Sequence, residues 1–97
     1  MALTIIWTKR AAQGFDRIVH HLEANWSENE VRNFISESDN FFKLLSEYPE
    51  LLQKTGRHKN VYRGPMNKLT IVTYRIKTRK KQIELINIRG ARQKPLA

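Results

Sequence analysis

The spacing of apolar residues in the first quarter of the chain changes from strand-like to helical. Residues 3–7 are apolar and rich in β-branched side chains, which predicts a short opening strand. Thr8 follows, and its hydroxyl is suited to accept a hydrogen bond from a free N–H group at a helix start. Apolar side chains then recur every three or four residues over residues 9–24, which predicts a helix. Gly14 inside it costs about 1 kcal/mol relative to alanine, which indicates either close packing or simple tolerance.

A second helix is predicted directly after the first. Ser27 and Glu30 have the spacing of a capping box, in which each side chain satisfies a free backbone donor. The apolar spacing continues until Glu47, and Pro49 stops the helix there because proline cannot continue it. Two helices over residues 9–47 with so short a connection predict an antiparallel hairpin, whose aromatic face needs a sheet to cover.

The second half of the chain is predicted to form strands joined by turns. We interpret residues 49–60 as a connector, because two leucines there are mixed with charged residues and a glycine. A strand begins at residues 61–63, and the Gly-Pro-Met-Asn sequence at residues 64–67 predicts a turn after it. These segments lead into the two longer strands of the chain.

Residues 69–76 and 83–88 are predicted to be those longer strands. Alternation in the first places two sets of side chains on opposite faces, namely Ile71, Thr73 and Arg75 against Thr70, Val72, Tyr74 and Ile76. Residues 77–81 are too charged to be buried, so we expect an exposed turn there. In the last strand one alternating set is Ile83, Leu85 and Asn87. The other set is also largely apolar, as expected for a central strand that helices cover.

The order of these elements is β-α-α-β-β-β. It predicts an α+β domain in which an N-terminal strand and an antiparallel helical hairpin precede a mainly antiparallel three-stranded meander. Ninety-seven residues suffice for one compact domain and are too few for two, so we assign residues 1–97 to a single domain. Within it the hairpin takes up about residues 9–47, the basic sheet about 61–89 and a C-terminal tail 90–97.

Charge is distributed unevenly between the two halves of the chain. Residues 1–48 carry five Lys and Arg against seven Asp and Glu, a net of −2, whereas residues 49–97 carry thirteen against two, a net of +11. A basic excess this one-sided attracts a polyanion or an acidic protein segment. We therefore interpret the first half as scaffold and the second half as the functional part.

The composition also argues against several classes of protein. The chain has no cysteine, which excludes disulfides and thiolate chemistry, and three histidines, so we expect neither a metal nor a cofactor. The apolar run at residues 3–7 is too short for a signal peptide or a membrane span, and Lys9 and Arg10 follow it closely. We expect a cytoplasmic protein with no membrane partner, for which nucleic acid or an acidic protein surface is the leading partner class.

Three segments resemble those of a known family: LLSEYPEL at the end of the second predicted helix, LTIVTYRI with its Tyr74–Arg75 pair, and ELINIRGARQKP near the C-terminus. With the element order, length and charge, they make the chain resemble the RelE/ParE superfamily of bacterial toxins over essentially its whole length. The resemblance implies the toxin of a type II toxin–antitoxin pair, held inactive by an acidic or amphipathic segment of a cognate antitoxin.

The resemblance leaves two targets open, because RelE-like members cut messenger RNA in the ribosomal A site and ParE-like members poison DNA gyrase. Arg63 falls near one basic position of the RNA-cleaving branch, and Arg92 matches the arginine after its last strand. A second basic position of that branch falls on Val61, another arginine falls on Thr70 or Ile71, and its C-terminal tyrosine or histidine has no counterpart. We therefore favour a non-catalytic, ParE-like toxin. The endoribonuclease is the alternative, and a non-toxic nucleic-acid-binding or antitoxin-bound remnant is a second alternative.

Candidate site residues follow from this comparison and from the charge. For an endoribonuclease they are Arg63, Arg92 and His58, because attack by the RNA 2′-hydroxyl needs proton transfer and a cation at the phosphoryl oxygens. Residues expected to bind the target or the antitoxin are Arg63, Arg75, Arg89, Arg92, Lys94 and Tyr62. Tyr62 is included as the aromatic residue best placed to stack on a nucleobase. The sequence equally allows these arginines to be solvated charges or salt-bridge partners of the hairpin, and it leaves a homodimer open.

Overall fold

The computed structural model describes residues 2–56 and 58–91. Its elements follow in the order β1 (Thr4–Trp7), α1 (Lys9–Asn25), α2 (Glu28–Glu47), β2 (Gln53–Lys54), β3 (Val61–Asn67), β4 (Thr70–Lys77) and β5 (Gln82–Gly90). The strands form one sheet in the order β1-β5-β4-β3-β2. β1 runs parallel to β5, and the other neighbours are antiparallel. The predicted α+β class is confirmed.

Both helices cover one face of the sheet, which we call the inner face. Its buried side chains are Tyr62, Met66, Val72, Tyr74, Ile83, Leu85 and Ile88. Helix α1 packs on β5, and α2 contacts β1 and β3. Buried residues of the helices join the same core. One face of the sheet is therefore buried under the helices, and the other face points away from them.

The two helices form an antiparallel hairpin, as their aromatic contacts show. The rings of Phe15 and Phe34 stack with centroids 5.6 Å apart, whereas Trp7, which precedes α1, contacts Phe42 further along α2 at 5.2 Å. Contacts that run in opposite directions along the two helices define an antiparallel pair. Within residues 2–56 and 58–91, neither helix is long and apolar enough to cross a bilayer.

The start of each helix has the cap that the sequence predicts. The Thr8 hydroxyl accepts a hydrogen bond from the Ala11 N–H at 3.2 Å and donates one to the Leu85 carbonyl at 2.6 Å. One side chain thus caps α1 and fastens it to β5. In α2, Ser27 and Glu30 form the complete capping box.

Gly14 lies where α1 comes closest to the sheet. A Cβ atom on Gly14 would lie 3.0 Å from the Ile88 carbonyl carbon and closer still to its oxygen. Both are backbone atoms of an interior strand, so they cannot move aside. The glycine therefore reflects close packing, which is one of the two readings that the sequence allowed.

A bulge in β5 changes which residues of that strand are buried. Thr73 pairs with Asn87 and Tyr74 pairs with Leu85, so Ile86 has no partner of its own in β4. An extra residue shifts the side-chain alternation beyond it. Ile88 is buried as a result, and the expectation that Asn87 shares a face with Ile83 and Leu85 was wrong.

The predicted turn at residues 64–67 was also wrong. Strand β3 continues through Gly64 and Pro65 to Asn67, and the turn falls at residues 68–69. Strand β2, which formed within the predicted connector, pairs only with Tyr62 and Arg63. At Pro65, β3 is consequently an edge strand, where proline is tolerated because its missing N–H leaves no ladder bond unmade.

We expect Gly14→Ala to destabilise the protein by about 2 kcal/mol, because overpacking against backbone outweighs the gain of about 1 kcal/mol in helix propensity. Urea unfolding of the purified protein measures this change. Gln13→Ala, on the exposed side of the same helix turn, is the matched control and should leave stability nearly unchanged. A Gly14→Ala protein as stable as the wild type would contradict the close approach of α1 to β5.

Candidate functional site

The face of the sheet opposite the helices, called the outer face, carries the basic residues of β3, β4 and β5. The side chains of these strands on this face include Arg63, Ile71, Thr73, Arg75, Lys77, Glu84, Asn87 and Arg89. Directly paired residues of adjacent strands project to the same side of a sheet. The pairing Arg63–Thr73–Asn87 therefore defines a row across the middle of the outer face.

Arg63, Arg75 and Arg89 surround that row. Arg75 lies two residues beyond Thr73 on β4, and Arg89 pairs with Ile71, two residues on the other side. From the spacing of residues and strands, the Cα atoms of Arg63 and Arg75 are about 8 Å apart and those of Arg75 and Arg89 about 14 Å apart. The register thus brings together three of the sequence-predicted site residues, although their function stays a prediction.

The outer face is cationic and only partly neutralised. Four cations, Arg63, Arg75, Lys77 and Arg89, share it with one carboxylate, Glu84, for a net charge of +3. Glu84 is directly opposite Arg75, but its carboxylate binds the Lys77 ammonium at 3.2 Å. Among the described residues, no carboxylate lies within 4.0 Å of the Arg63 or Arg75 guanidinium.

The helices do not supply the missing negative charge. All seven acidic residues of the first half of the chain lie in α1 or α2, on the other side of the sheet. A packed layer is about 10 Å thick, which is comparable to the Debye length in physiological salt. The acidic residues of the helices and the four cations of the outer face therefore lie on opposite sides of the sheet.

Tyr62 is not where the sequence analysis placed it. Its side chain lies on the inner face, is 7% exposed and stacks on Tyr74 with ring centroids 5.4 Å apart. The stack and the connector close over the ring, so it does not offer a free surface to a nucleobase. The error arose because alternation within β3 alone does not say which of its faces meets the helices.

The two stacked tyrosines anchor the connector before β3. The Tyr74 hydroxyl donates to the Pro49 carbonyl at 2.6 Å and accepts from the Leu52 N–H at 3.4 Å. Burial raises the pKa of Tyr74 to about 12. Burial also raises the pKa of Tyr62, and the nearby negative charge of Glu50 adds to that effect. Both phenols are structural groups held in the neutral form.

His58 is not part of the arginine group. It lies in the turn before β3, where its carbonyl accepts from the Val61 N–H at 3.4 Å. Val61 pairs with Arg75, so His58 lies beyond the Arg75 end of the outer face, whereas Arg63 and Arg89 lie further toward the other end. The remaining predicted residues, Arg92 and Lys94, lie outside the described residues.

Two polar residues of the outer face were absent from the predicted site. Thr73 and Asn87 lie between the arginines and offer a hydroxyl and an amide that can bind an anion. The alternation of β4 did place Thr73 beside Arg75, so a signal for it existed. Asn87 had none, because the bulge that turns it outward is not visible in the sequence.

Comparison with known proteins agrees with this fold. The toxin–antitoxin complex RelBE2 from Mycobacterium tuberculosis matches with a TM-score of 0.62 and 15% identity, over 93% of this chain and 99% of that chain. The chromosomal ParDE toxin–antitoxin system from P. aeruginosa matches with a TM-score of 0.72 and 16% identity, over 92% and 96%. No curated protein sequence matches the chain. The fold is thus that of the RelE/ParE-like toxins.

A family model identifies the branch. The model described as "ParE toxin of type II toxin-antitoxin system, parDE" matches residues 5–95, nearly the whole chain. The protein therefore belongs to the ParE toxin family, and the RelE/ParE resemblance of its sequence is confirmed.

We expect the buried phenol of Tyr74 to make stability fall in alkaline solution. Its pKa is raised from 10.0 to about 12 in the folded protein. The unfolded chain therefore loses this proton first, and stability that is complete below pH 10 declines as the pH rises toward 12. In Tyr74→Phe, the decline between about pH 8 and about pH 11 should be smaller by about 1 kcal/mol, measured by urea unfolding.

Tyr48→Phe is the control, since Tyr48 is exposed and the chemical change is the same. It should show the full wild-type decline. An equal decline in both variants would contradict the assignment to Tyr74.

Proposed function

We propose that this protein is a ParE-like toxin that inhibits DNA gyrase and is neutralised by a cognate antitoxin. The observation that carries the proposal is the match of the ParE family model over residues 5–95. The cationic outer face supports it, because the helices cover the other face of the sheet and Arg63 and Arg75 are exposed on this one. We propose that Arg63, Arg75 and Arg89 act there as binding residues. Arg92 and Lys94, which lie outside the described residues, are proposed as binding residues from the sequence alone.

The arrangement of the outer face favours binding over RNA cleavage. Cleavage without a metal needs a group that takes a proton from the 2′-hydroxyl within hydrogen-bond reach. Near Arg63 the described face offers Thr73 and Asn87, which are poor bases, and its carboxylate Glu84 is ion-paired with Lys77. His58 lies beyond the Arg75 end of the outer face, away from Arg63. The endoribonuclease alternative therefore has less support than a non-catalytic toxin.

The antitoxin is proposed on different grounds. Both solved relatives are described as toxin–antitoxin systems. This protein exposes large apolar side chains near the end of α2 and after it, with Leu44 44%, Tyr48 59% and Leu51 41% exposed. We propose that an amphipathic antitoxin segment covers this patch and places acidic residues near basic ones. A location in the cytoplasm, where gyrase acts, follows from this proposal.

Inhibition of supercoiling by purified gyrase tests the function. We expect the toxin at low micromolar concentration to slow supercoiling of a relaxed plasmid, because it occupies the enzyme. Relaxation of the same plasmid by a type I topoisomerase is the control, since a basic protein that merely coats DNA would slow both reactions. Unchanged supercoiling at tens of micromolar toxin would contradict the proposal, as would translation-dependent cleavage of a reporter message by the toxin.

The antitoxin contact is tested with the protein encoded beside this reading frame. We expect the complex to persist at about 1 M salt, because apolar burial is not screened whereas exposed charge pairs are. Leu44→Ser with Tyr48→Ser should weaken it at high salt, and Arg10→Gln with Arg17→Gln, on the exposed side of α1, should not. Complete dissociation of the wild-type complex at moderate salt would mean that the contact is electrostatic only.

A further inference from the structure

We infer that the outer face binds the phosphate backbone of duplex DNA, so that the toxin contacts the DNA held by its target as well as the target protein. The inference deepens the proposed gyrase function and takes its biological setting from it. The binding itself is a property of the face and can be measured without gyrase.

Two arginines of the outer face are positioned to bind a phosphate. Arg63 and Arg75 are exposed, and no described carboxylate lies within 4.0 Å of either guanidinium. Their Cα atoms are only about 8 Å apart, and the repulsion between the two positive charges costs electrostatic free energy. A bound anion would recover that free energy. The planar guanidinium group of arginine binds phosphate oxygens through two parallel hydrogen bonds. The face thus presents donors suited to phosphate.

The cations of the outer face are spread over a distance that suits a linear polyanion. Arg75 and Arg89 lie at opposite ends of the face, with Cα atoms about 14 Å apart. This distance corresponds to about four base steps along the axis of a duplex. Thr73 and Asn87 between them add neutral donors that commonly contact phosphate. A linear polyanion can engage all of these groups at once, whereas a single small anion can reach only one or two.

The positions of the aromatic residues favour a duplex over a single strand. Proteins that bind single-stranded nucleic acid stack bases on aromatic side chains. The aromatic residues of the described strands are Trp7, Tyr62 and Tyr74, and all three lie on the inner face, since Trp7 pairs with Leu85 and Tyr62 with Tyr74. A basic face without aromatic residues can bind phosphates but cannot stack on exposed bases.

An acidic protein segment fits this face less well. Protein interfaces are enriched in aromatic anchors at their centre. The centre of the outer face is the polar row Arg63–Thr73–Asn87, and the exposed apolar patch of Leu44, Tyr48 and Leu51 lies elsewhere, at the end of α2 and beyond. We therefore assign the two surfaces to different partners.

Fluorescence anisotropy with the full-length toxin and a labelled duplex of about 20 base pairs tests the inference, with salt varied from about 50 to 200 mM. Arg63→Gln with Arg75→Gln should weaken binding at least tenfold. It should also lower the slope of log affinity against log salt by about two, because each phosphate contact contributes about 0.9.

The matched control is Arg10→Gln with Arg17→Gln, which removes the same charge from the helical side of the molecule. It should retain the wild-type salt slope. Equal losses in the two double variants would overturn the inference, because binding would then follow net charge alone. A single strand of the same length that binds as tightly as the duplex would also overturn it.

The gyrase assay separates this inference from the proposed function. If the wild type inhibits supercoiling but fails to bind duplex DNA, the DNA inference fails and the gyrase proposal stands. If it binds duplex DNA through Arg63 and Arg75 but leaves gyrase unaffected, the gyrase proposal fails and the DNA-binding face stands.

Discussion

Packing of α1 onto β5 is the interaction on which the rest of this structure depends. The contact is set by the absence of a side chain at Gly14 and by the Thr8 hydroxyl, which caps the helix and bonds the Leu85 carbonyl. Once α1 is seated there, α2 follows through the Phe15–Phe34 stack, and the two helices cover one face of the sheet. Every side chain on the alternate positions of the strands is then directed to the opposite face.

This division explains how the outer face comes to be cationic. The helices carry seven acidic residues and the outer face carries four basic ones, so the sheet lies between charges of opposite sign. The one carboxylate of the described outer face is bound to Lys77. Arg63 and Arg75 are left facing solvent, and the protein shows two distinct surfaces, one cationic and one apolar at the end of α2.

Features fixed by neighbouring residues could be predicted from the sequence. The helix starts follow from local caps at Thr8 and Ser27, and alternation correctly separates the two faces of β4, with Val72 and Tyr74 together on the buried one. Features fixed by a distant strand could not. The bulge at Ile86, the continuation of β3 through Pro65 and the formation of β2 all depend on which backbone groups lie alongside. Tyr62 was misplaced for the same reason, since only its pairing with Tyr74 assigns it to the inner face.

The central claim is that the outer face, and not the helical side, meets the target. Arginine-specific modification of the toxin, read by mass spectrometry with and without gyrase and DNA, tests it most directly. We expect Arg63 and Arg75 to become protected in the complex while Arg10 and Arg17 stay reactive. Protection of the two helical arginines with continued modification of Arg63 and Arg75 would contradict the account.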